Sequence, residues 1–214
     1  MKVGTDAVLL GAWASLPMEG NILDVGCGSG VISLMAAQRA ARTHITGIDI
    51  HPLSVIQAKE NAARSPFTNT HFIEGDFLLH DFPTLFDCII SNPPYHTETL
   101  LAPEAARAAA RNTAFLSFHA LIKRSNELLS ERGSLQVILP SLAEAQFHEE
   151  CSRHYLSLTR ITHVRTTPNK QPKRVLMEFR KGVSSKVERD EIILLNENGS
   201  RSDSYSSLCK DYYL

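Results

Sequence analysis

Up to Arg153 the chain alternates short apolar runs with helix-length stretches, and this alternation constrains the fold more than any other feature. A strand that must cross a helix before meeting the next strand joins it in parallel, by a right-handed crossover. The strand-like runs are Asn21–Val25, His44–Ile48, Thr70–Glu74, Phe86–Ile90 and Ser134–Leu139, the last stopped by Pro140. Helical patterns cover Val31–Ala41, Pro52–Ala63, Phe115–Leu129 and Ser141–Arg153, and a buried helix is expected over Asp6–Leu16. Leu156–Val164 and Arg174–Phe179 are separated only by a loop, too short for a helical crossover, so they pair antiparallel. The predicted fold is α/β: a seven-stranded, mainly parallel sheet with an antiparallel last strand and helices on both faces. With 214 residues it forms a single domain, with the core sheet and helices in 1–182 and a C-terminal strand (Ile192–Leu195) and helix in 183–214.

Composition narrows the class of partner. Twenty-two Lys and Arg stand against 23 Asp and Glu, so no broad field advertises nucleic-acid binding and any such contact needs a local patch. Cys27, Cys88, Cys151 and Cys209 are too scattered for a zinc ribbon or a disulfide framework, which suits a reduced cytoplasm. No signal peptide or membrane span is evident, the nine histidines show no metal-ligand spacing, and a soluble monomer without metal is expected.

The chemistry is concentrated at strand ends. After Asn21–Val25 comes Gly26-Cys27-Gly28-Ser29-Gly30, a turn whose glycines let a ligand approach the backbone. Asp49, 21 positions after Gly28 at the tip of the next strand, is placed to accept from ribose hydroxyls. The loop offers no Lys or Arg to a phosphate and lacks the Walker ending, while Asp24 precedes it, so a cationic amino-acid moiety suits it better than a pyrophosphate. Asp76 can accept from an adenine amino group with Phe77 against the ring; a solvent-facing Asp and a core Phe are the alternative.

Asn92-Pro93-Pro94-Tyr95 follows the fourth strand, at the edge where parallel sheets bind ligands. The prolines hold Asn92 extended. Its Oδ1 and the Pro93 carbonyl are two acceptors for an exocyclic NH2, and Tyr95 offers a stacking face. Held outside the ring plane, such acceptors favour the pyramidal amine whose lone pair can attack. An ordinary Asn-Pro turn before a surface tyrosine is the plainer account of the same four residues.

Lys2 and Thr5 are polar groups ahead of the first helix and could face a ligand, although a helix cap explains Thr5 equally well. Arg107 and Arg111 share a helical face and can reach a phosphate or simply face solvent. Between Cys151 and Gly182 eight basic residues stand against Glu178 alone, and the hairpin tip with Lys170, Lys173 and Arg174 is a candidate phosphate patch or a solubilising turn.

Together, Lys2-Val3-Gly4-Thr5-Asp6, Leu9-Leu10-Gly11-Ala12-Trp13-Ala14, the Asp24–Gly30 segment, Ile90-Ser91-Asn92-Pro93-Pro94-Tyr95 and Arg174-Val175-Leu176 resemble the bacterial tRNA (adenine-N6)-methyltransferases that modify adenine 37 of valine tRNA. The order of elements matches the Rossmann-like class I methyltransferase fold. The resemblance implies S-adenosyl-L-methionine as cofactor, held by Asp24, Gly26, Cys27, Gly28 and Gly30 (methionine), Asp49 and Ile50 (ribose side) and Asp76 and Phe77 (adenine), with Asn92 beside it. It implies Asn92, Pro93, Pro94 and Tyr95 as the catalytic group acting on a flipped-out base of tRNA. Asn-Pro-Pro-Tyr serves equally for guanine N2 in rRNA, adenine in DNA or a protein glutamine, and a non-catalytic RNA-binding subunit is the remaining alternative. Members of that family open further upstream, so a missing N-terminal segment is also expected.

Overall fold

The computed structural model describes residues 4–93, 116–182 and 186–212. Lys2, Pro94, Tyr95, Arg107 and Arg111 lie outside the described residues. Helix α1 is Thr5–Trp13, followed by β1 (Gly20–Val25), α2 (Val31–Arg39), β2 (Thr43–Asp49), α3 (Pro52–Ala63), β3 (Thr70–Glu74) and β4 (Phe86–Ser91). The second half holds α4 (Phe118–Leu128), β5 (Leu129–Pro140), α5 (Glu144–Arg153), β6 (Leu156–Arg165), β7 (Arg174–Lys181), β8 (Glu188–Ile193) and α6 (Asp203–Leu208).

Among the described residues the sheet has eight strands in the order β3-β2-β1-β4-β5-β7-β6-β8, one more than expected. All run the same way except β7, which is antiparallel to both β5 and β6. The added strand β8 pairs in parallel with β6 from Arg160↔Glu188 to Arg165↔Ile193. It starts at Glu188, before the expected Ile192–Leu195 segment, because β6 offers it an edge to pair with; Glu188-Arg189-Asp190-Glu191 carries no apolar periodicity to signal this in the sequence. Those charges suit an exposed edge, where they discourage pairing with another chain.

Side chains of successive strand residues go to opposite faces and build two cores. Leu23, Ile89, Leu135, Val137, Met177 and Phe179 pack with Leu121 and Ile122 of α4 and Phe147 of α5. Ile22, Cys88, Ile90, Ile138 and Leu176 pack with α1, α2 and Tyr205 of α6. Helix α1 is apolar nearly all round and buried from Val8 to Trp13. At Gly11 any side chain would meet Met35, whose Sδ lies 2.7 Å from the position a Cβ would take. The carbonyls at the end of α1 are satisfied by Arg39, whose Nη1 donates to Gly11 O at 2.6 Å and Nη2 to Ala14 O at 2.8 Å. Trp13 donates to Thr162 Oγ1 at 2.9 Å while Arg160 sits 4.2 Å from the indole centre.

Helix α4 starts at Phe118 rather than Phe115, with Ser117 Oγ accepting from the Ala120 amide as its cap. Strand β5 runs back to Leu129, because pairing with β4 continues across an irregularity to Phe86↔Leu129.

Gly30, at the start of α2, has φ +81°, and a Cβ there would lie 2.9 Å from Phe72 Cζ. Gly30→Ala should lower unfolding stability by about 1–3 kcal/mol through the strained backbone and the displaced ring, read from urea melts.

Candidate active site

The register of the sheet assembles the site. Val25 of β1 is level with Ile48 of β2 and with Ser91 of β4, so Gly26, Asp49 and Asn92 emerge side by side at the carboxyl edge. Ser91 Oγ donates to Val25 O at 2.9 Å, fixing the last residue before Asn92 against β1. Asn92 is half-buried and Pro93 is buried. Asp76, two residues beyond β3, reaches the same edge, where Gly75 N donates to Asp49 O at 3.0 Å.

The glycine loop is tied down by its own backbone. Gly26 N and Cys27 N both donate to Ile48 O, at 2.9 and 3.1 Å, and Gly30 N donates to Cys27 O at 2.9 Å. Gly28 N donates to Asp49 Oδ2 at 2.8 Å, and His51 N to Asp49 Oδ1 at 2.8 Å. Four amides of the loop are therefore engaged within the protein, and what the loop offers is its shape. Gly26, Gly28 and Gly30 have φ of +71°, +55° and +81°, a path that other residues follow only under strain. A Cβ on Gly26 would meet nothing within 4 Å, so the backbone there borders open space.

Asp24 lies beneath this loop, 1% exposed. Its Oδ2 accepts from Ser33 N at 3.1 Å and Ser33 Oγ at 2.6 Å, which satisfies an amide in the first turn of α2. Its Oδ1 has no hydrogen-bond partner among the described residues. Burial raises the carboxyl pKa to about 6, opposed by the Ser33 bonds and reinforced by the charge of Asp49. Ser33 was not among the expected site residues; an acceptor-seeking hydroxyl three positions after Gly30 was the available signal. The Cys27 thiol is also pushed up, by burial and by the Asp24 and Asp49 charges, and is no nucleophile.

Asp49 keeps unused lone pairs, since each oxygen accepts one backbone amide and can take another donor. Ile50 beside it is 41% exposed and presents an apolar surface at the edge. Asp76 Oδ1 accepts from Leu78 N at 2.8 Å, closing a local turn. Phe77 is 5% exposed and packs with Leu23 and Ile48, so it belongs to the core, the alternative the sequence left open.

Other expected contacts are spread over the surface. Thr5 is exposed in the first turn of α1 and makes no cap bond. Arg174 Nε pairs with Asp6 Oδ2 at 2.8 Å, joining β7 to α1. Arg165 pairs with Glu191, Arg180 with Glu178 and Arg153 with Glu149 and Glu150. Arg160 and Lys181 donate to backbone carbonyls. Of the eight basic residues, Lys170 and Lys173 alone are exposed without a side-chain bond among the described residues, so the patch is smaller than the charge count implies.

The fold and this edge define a class I S-adenosylmethionine-dependent methyltransferase. The methyltransferase small domain family matches residues 3–150. Among solved structures, a protein of Agrobacterium tumefaciens described as a predicted O-methyltransferase aligns with a TM-score of 0.75 at 20% identity, over 96% of both chains. Magnesium protoporphyrin IX methyltransferase of Synechocystis, solved with its cofactor bound, aligns with a TM-score of 0.54 at 19% identity, over 77% of this chain and 72% of that one. The tRNA1(Val) (adenine(37)-N6)-methyltransferase of Phocaeicola vulgatus is 42% identical over all of this chain and 91% of its own. Those of Aliivibrio salmonicida and Porphyromonas gingivalis are 35% and 39% identical, again over all of this chain and over 91% and 89% of theirs. The chain belongs to the tRNA1(Val) (adenine(37)-N6)-methyltransferase family.

The raised Asp24 pKa has a thermodynamic sign. The unfolded carboxyl ionises near 3.8 and the folded one near 6, so the cofactor-free protein loses stability as pH rises through that window. Between about pH 4 and pH 7 the Asp24→Asn protein should gain about 2 kcal/mol relative to the unsubstituted one, measured by urea unfolding at both pH values.

Proposed function

We propose that the chain transfers a methyl group from S-adenosylmethionine to N6 of an adenine in tRNA, adenine 37 of a valine tRNA. The observation that carries this is the placement of Asn92 and Pro93 just beyond the Val25↔Ser91 register pair, beside the open backbone of Gly26. The unsatisfied Asp24 Oδ1 and the Gly26 cradle suit a cofactor with a cationic amino-acid end. In this proposal Asp24 and the path of Gly26, Cys27, Gly28 and Gly30 hold the methionine portion, Asp49 accepts from the ribose hydroxyls with Ile50 beside it, and Asp76 borders the adenine. S-adenosylmethionine supplies the methyl group on a sulfonium, a leaving group that needs no activation by the protein.

The work left to the chain is therefore positioning. Asn92 Oδ1 and the Pro93 carbonyl accept the two amino protons, draw the nitrogen out of conjugation and aim its lone pair at the cofactor side of the edge. Once methylated, the amine is acidic enough to release a proton to water, so no strong base is assigned. Pro94 and Tyr95 keep the roles that the family resemblance implies, Tyr95 as the stacking face, while Arg107 and Arg111, spaced for one helical face, are assigned phosphate contacts and Lys2 a ligand-facing position from their residue types. Such an enzyme works on its tRNA in the cytoplasm, as a monomer.

The direct test is methyl transfer from labelled S-adenosylmethionine to an unmodified valine tRNA transcript, beside one carrying guanine at position 37. Label in the first alone is expected; equal label in both would place the target elsewhere, and label in neither with cofactor bound would mean a different amino substrate. Asn92→Ala should bind the cofactor normally and lose about 10²–10³ in kcat, the size of effect seen when one positioned polar group is removed. For the phosphate contacts, Lys170→Glu with Lys173→Glu should weaken tRNA binding and flatten its dependence on log salt, by roughly 0.7–0.9 for each phosphate no longer neutralised. An unchanged slope would return both lysines to the solvent.

A further inference from the structure

Where α4 and α5 pack on the core that α2 does not share, three potential ligands converge from these two helices. His119 lies in the first turn of α4, Glu150 in the last turn of α5, and His154 caps the end of α5. Their donor atoms, one from each residue, all lie within 4.8 Å of one another. Both histidines aim at the same carboxylate oxygen: Glu150 Oε1 is 2.7 Å from His119 Nδ1 and 3.3 Å from His154 Nε2. The two rings are 5.3 Å apart, centre to centre. Sequence spacing held part of this, since Glu150 and His154 are four apart on one helical face, contrary to the expectation that no histidine sits at ligand spacing. His119, 31 residues before Glu150, could be added only by the packing of α4 on α5.

A tetrahedral zinc ion bound at about 2.0–2.2 Å to nitrogen and oxygen holds its ligand atoms about 3.4 Å apart. The His154–Glu150 separation is already close to that value, and the His119–Glu150 pair needs to open by less than about 1 Å. His119 is 64% exposed at its side chain, which leaves room for that ring to turn and an open path for an ion, while Glu150 and His154 are 15% and 21% exposed and held by the helix. Glu150 Oε2 is engaged separately by Arg153 Nη1 at 3.1 Å, which anchors the carboxylate and leaves Oε1 to face the histidines.

We propose that His119 Nδ1, Glu150 Oε1 and His154 Nε2 form a site for a divalent cation of the zinc type, with water completing the coordination, that clamps α4 to α5. In the bound state His119 carries its proton on Nε2 and His154 on Nδ1, so the contacts to Oε1 are replaced by three coordinate bonds. The clamp lies over the packing of Phe118 against Phe147, whose rings are 5.0 Å apart and edge-on. By contrast, His163 and Glu144, 2.7 Å apart, make a two-residue pair without a third ligand among the described residues and serve as the internal control.

The experiment uses the full chain without an affinity tag, titrated with zinc chloride by calorimetry and with cobalt(II) chloride by visible absorption. One equivalent of cobalt should give the intense absorption of a tetrahedral site, and saturating zinc, at about 100 times its dissociation constant, should raise the melting midpoint by about 5–10 °C. Glu150→Gln and His154→Ala should each weaken zinc by at least about tenfold and remove the midpoint shift, with circular dichroism unchanged, while His163→Ala should leave binding intact. Absence of stoichiometric binding, or binding that survives both Glu150→Gln and His154→Ala, would overturn the proposal. Should either variant misfold, His119→Ala, exposed at the same site, gives the same reading.

Discussion

The carboxylate of Asp49 accepts one hydrogen bond from Gly28 N and another from His51 N, each at 2.8 Å, and the path of the glycine loop depends on it. With Gly26 N and Cys27 N on Ile48 O, the loop is fastened to the end of β2 rather than left hanging from β1. Amides bonded internally cannot bind a ligand, but they hold the backbone in the left-handed turns that a ligand would otherwise have to induce. The open face of Gly26 exists before any cofactor arrives, so less ordering remains to be done on binding.

A second consequence lies beneath the loop. Asp24 caps the amide of Ser33 from inside the sheet and so positions α2, yet its other oxygen, in a buried place, has no partner among the described residues. Removing that charge from water is costly, and the rise of its pKa to about 6 expresses the cost. A site that keeps an ionised oxygen unsatisfied in the free protein is less stable and better matched to a cation, a trade common where function resides.

Much of this was legible because the signals are local. The glycine loop, the acidic residue at the tip of β2 and the extended Asn92-Pro93 pair are each a few residues long, and period-two strands separated by helices dictate a parallel sheet. The same reasoning failed where neighbours distant in sequence decide. Strand β8 is a charged run that becomes a strand because β6 presents an unpaired edge. The count of positive charge in the hairpin looked like a nucleic-acid patch, but Arg165 and Arg174 find Glu191 and Asp6, 26 and 168 residues away. Phe77 follows the carboxyl end of β3, and only packing decides for the core position over a ligand-facing one, two readings the sequence left open.

What the sequence by itself determined was the kind of sheet, the strand ends that carry the chemistry and the residue types placed there, because backbone preference and hydrophobic period act over a few neighbouring positions. Tertiary structure alone decided which of those groups are spent on holding the fold. The Asp49 oxygens serve the loop, Asp24 serves α2 with one oxygen, Arg174 serves α1, and His119 joins Glu150 and His154. Those outcomes depend on which side chains meet across the sheet and between helices, and a hydrogen bond or ion pair goes to whatever partner packing brings within about 3 Å.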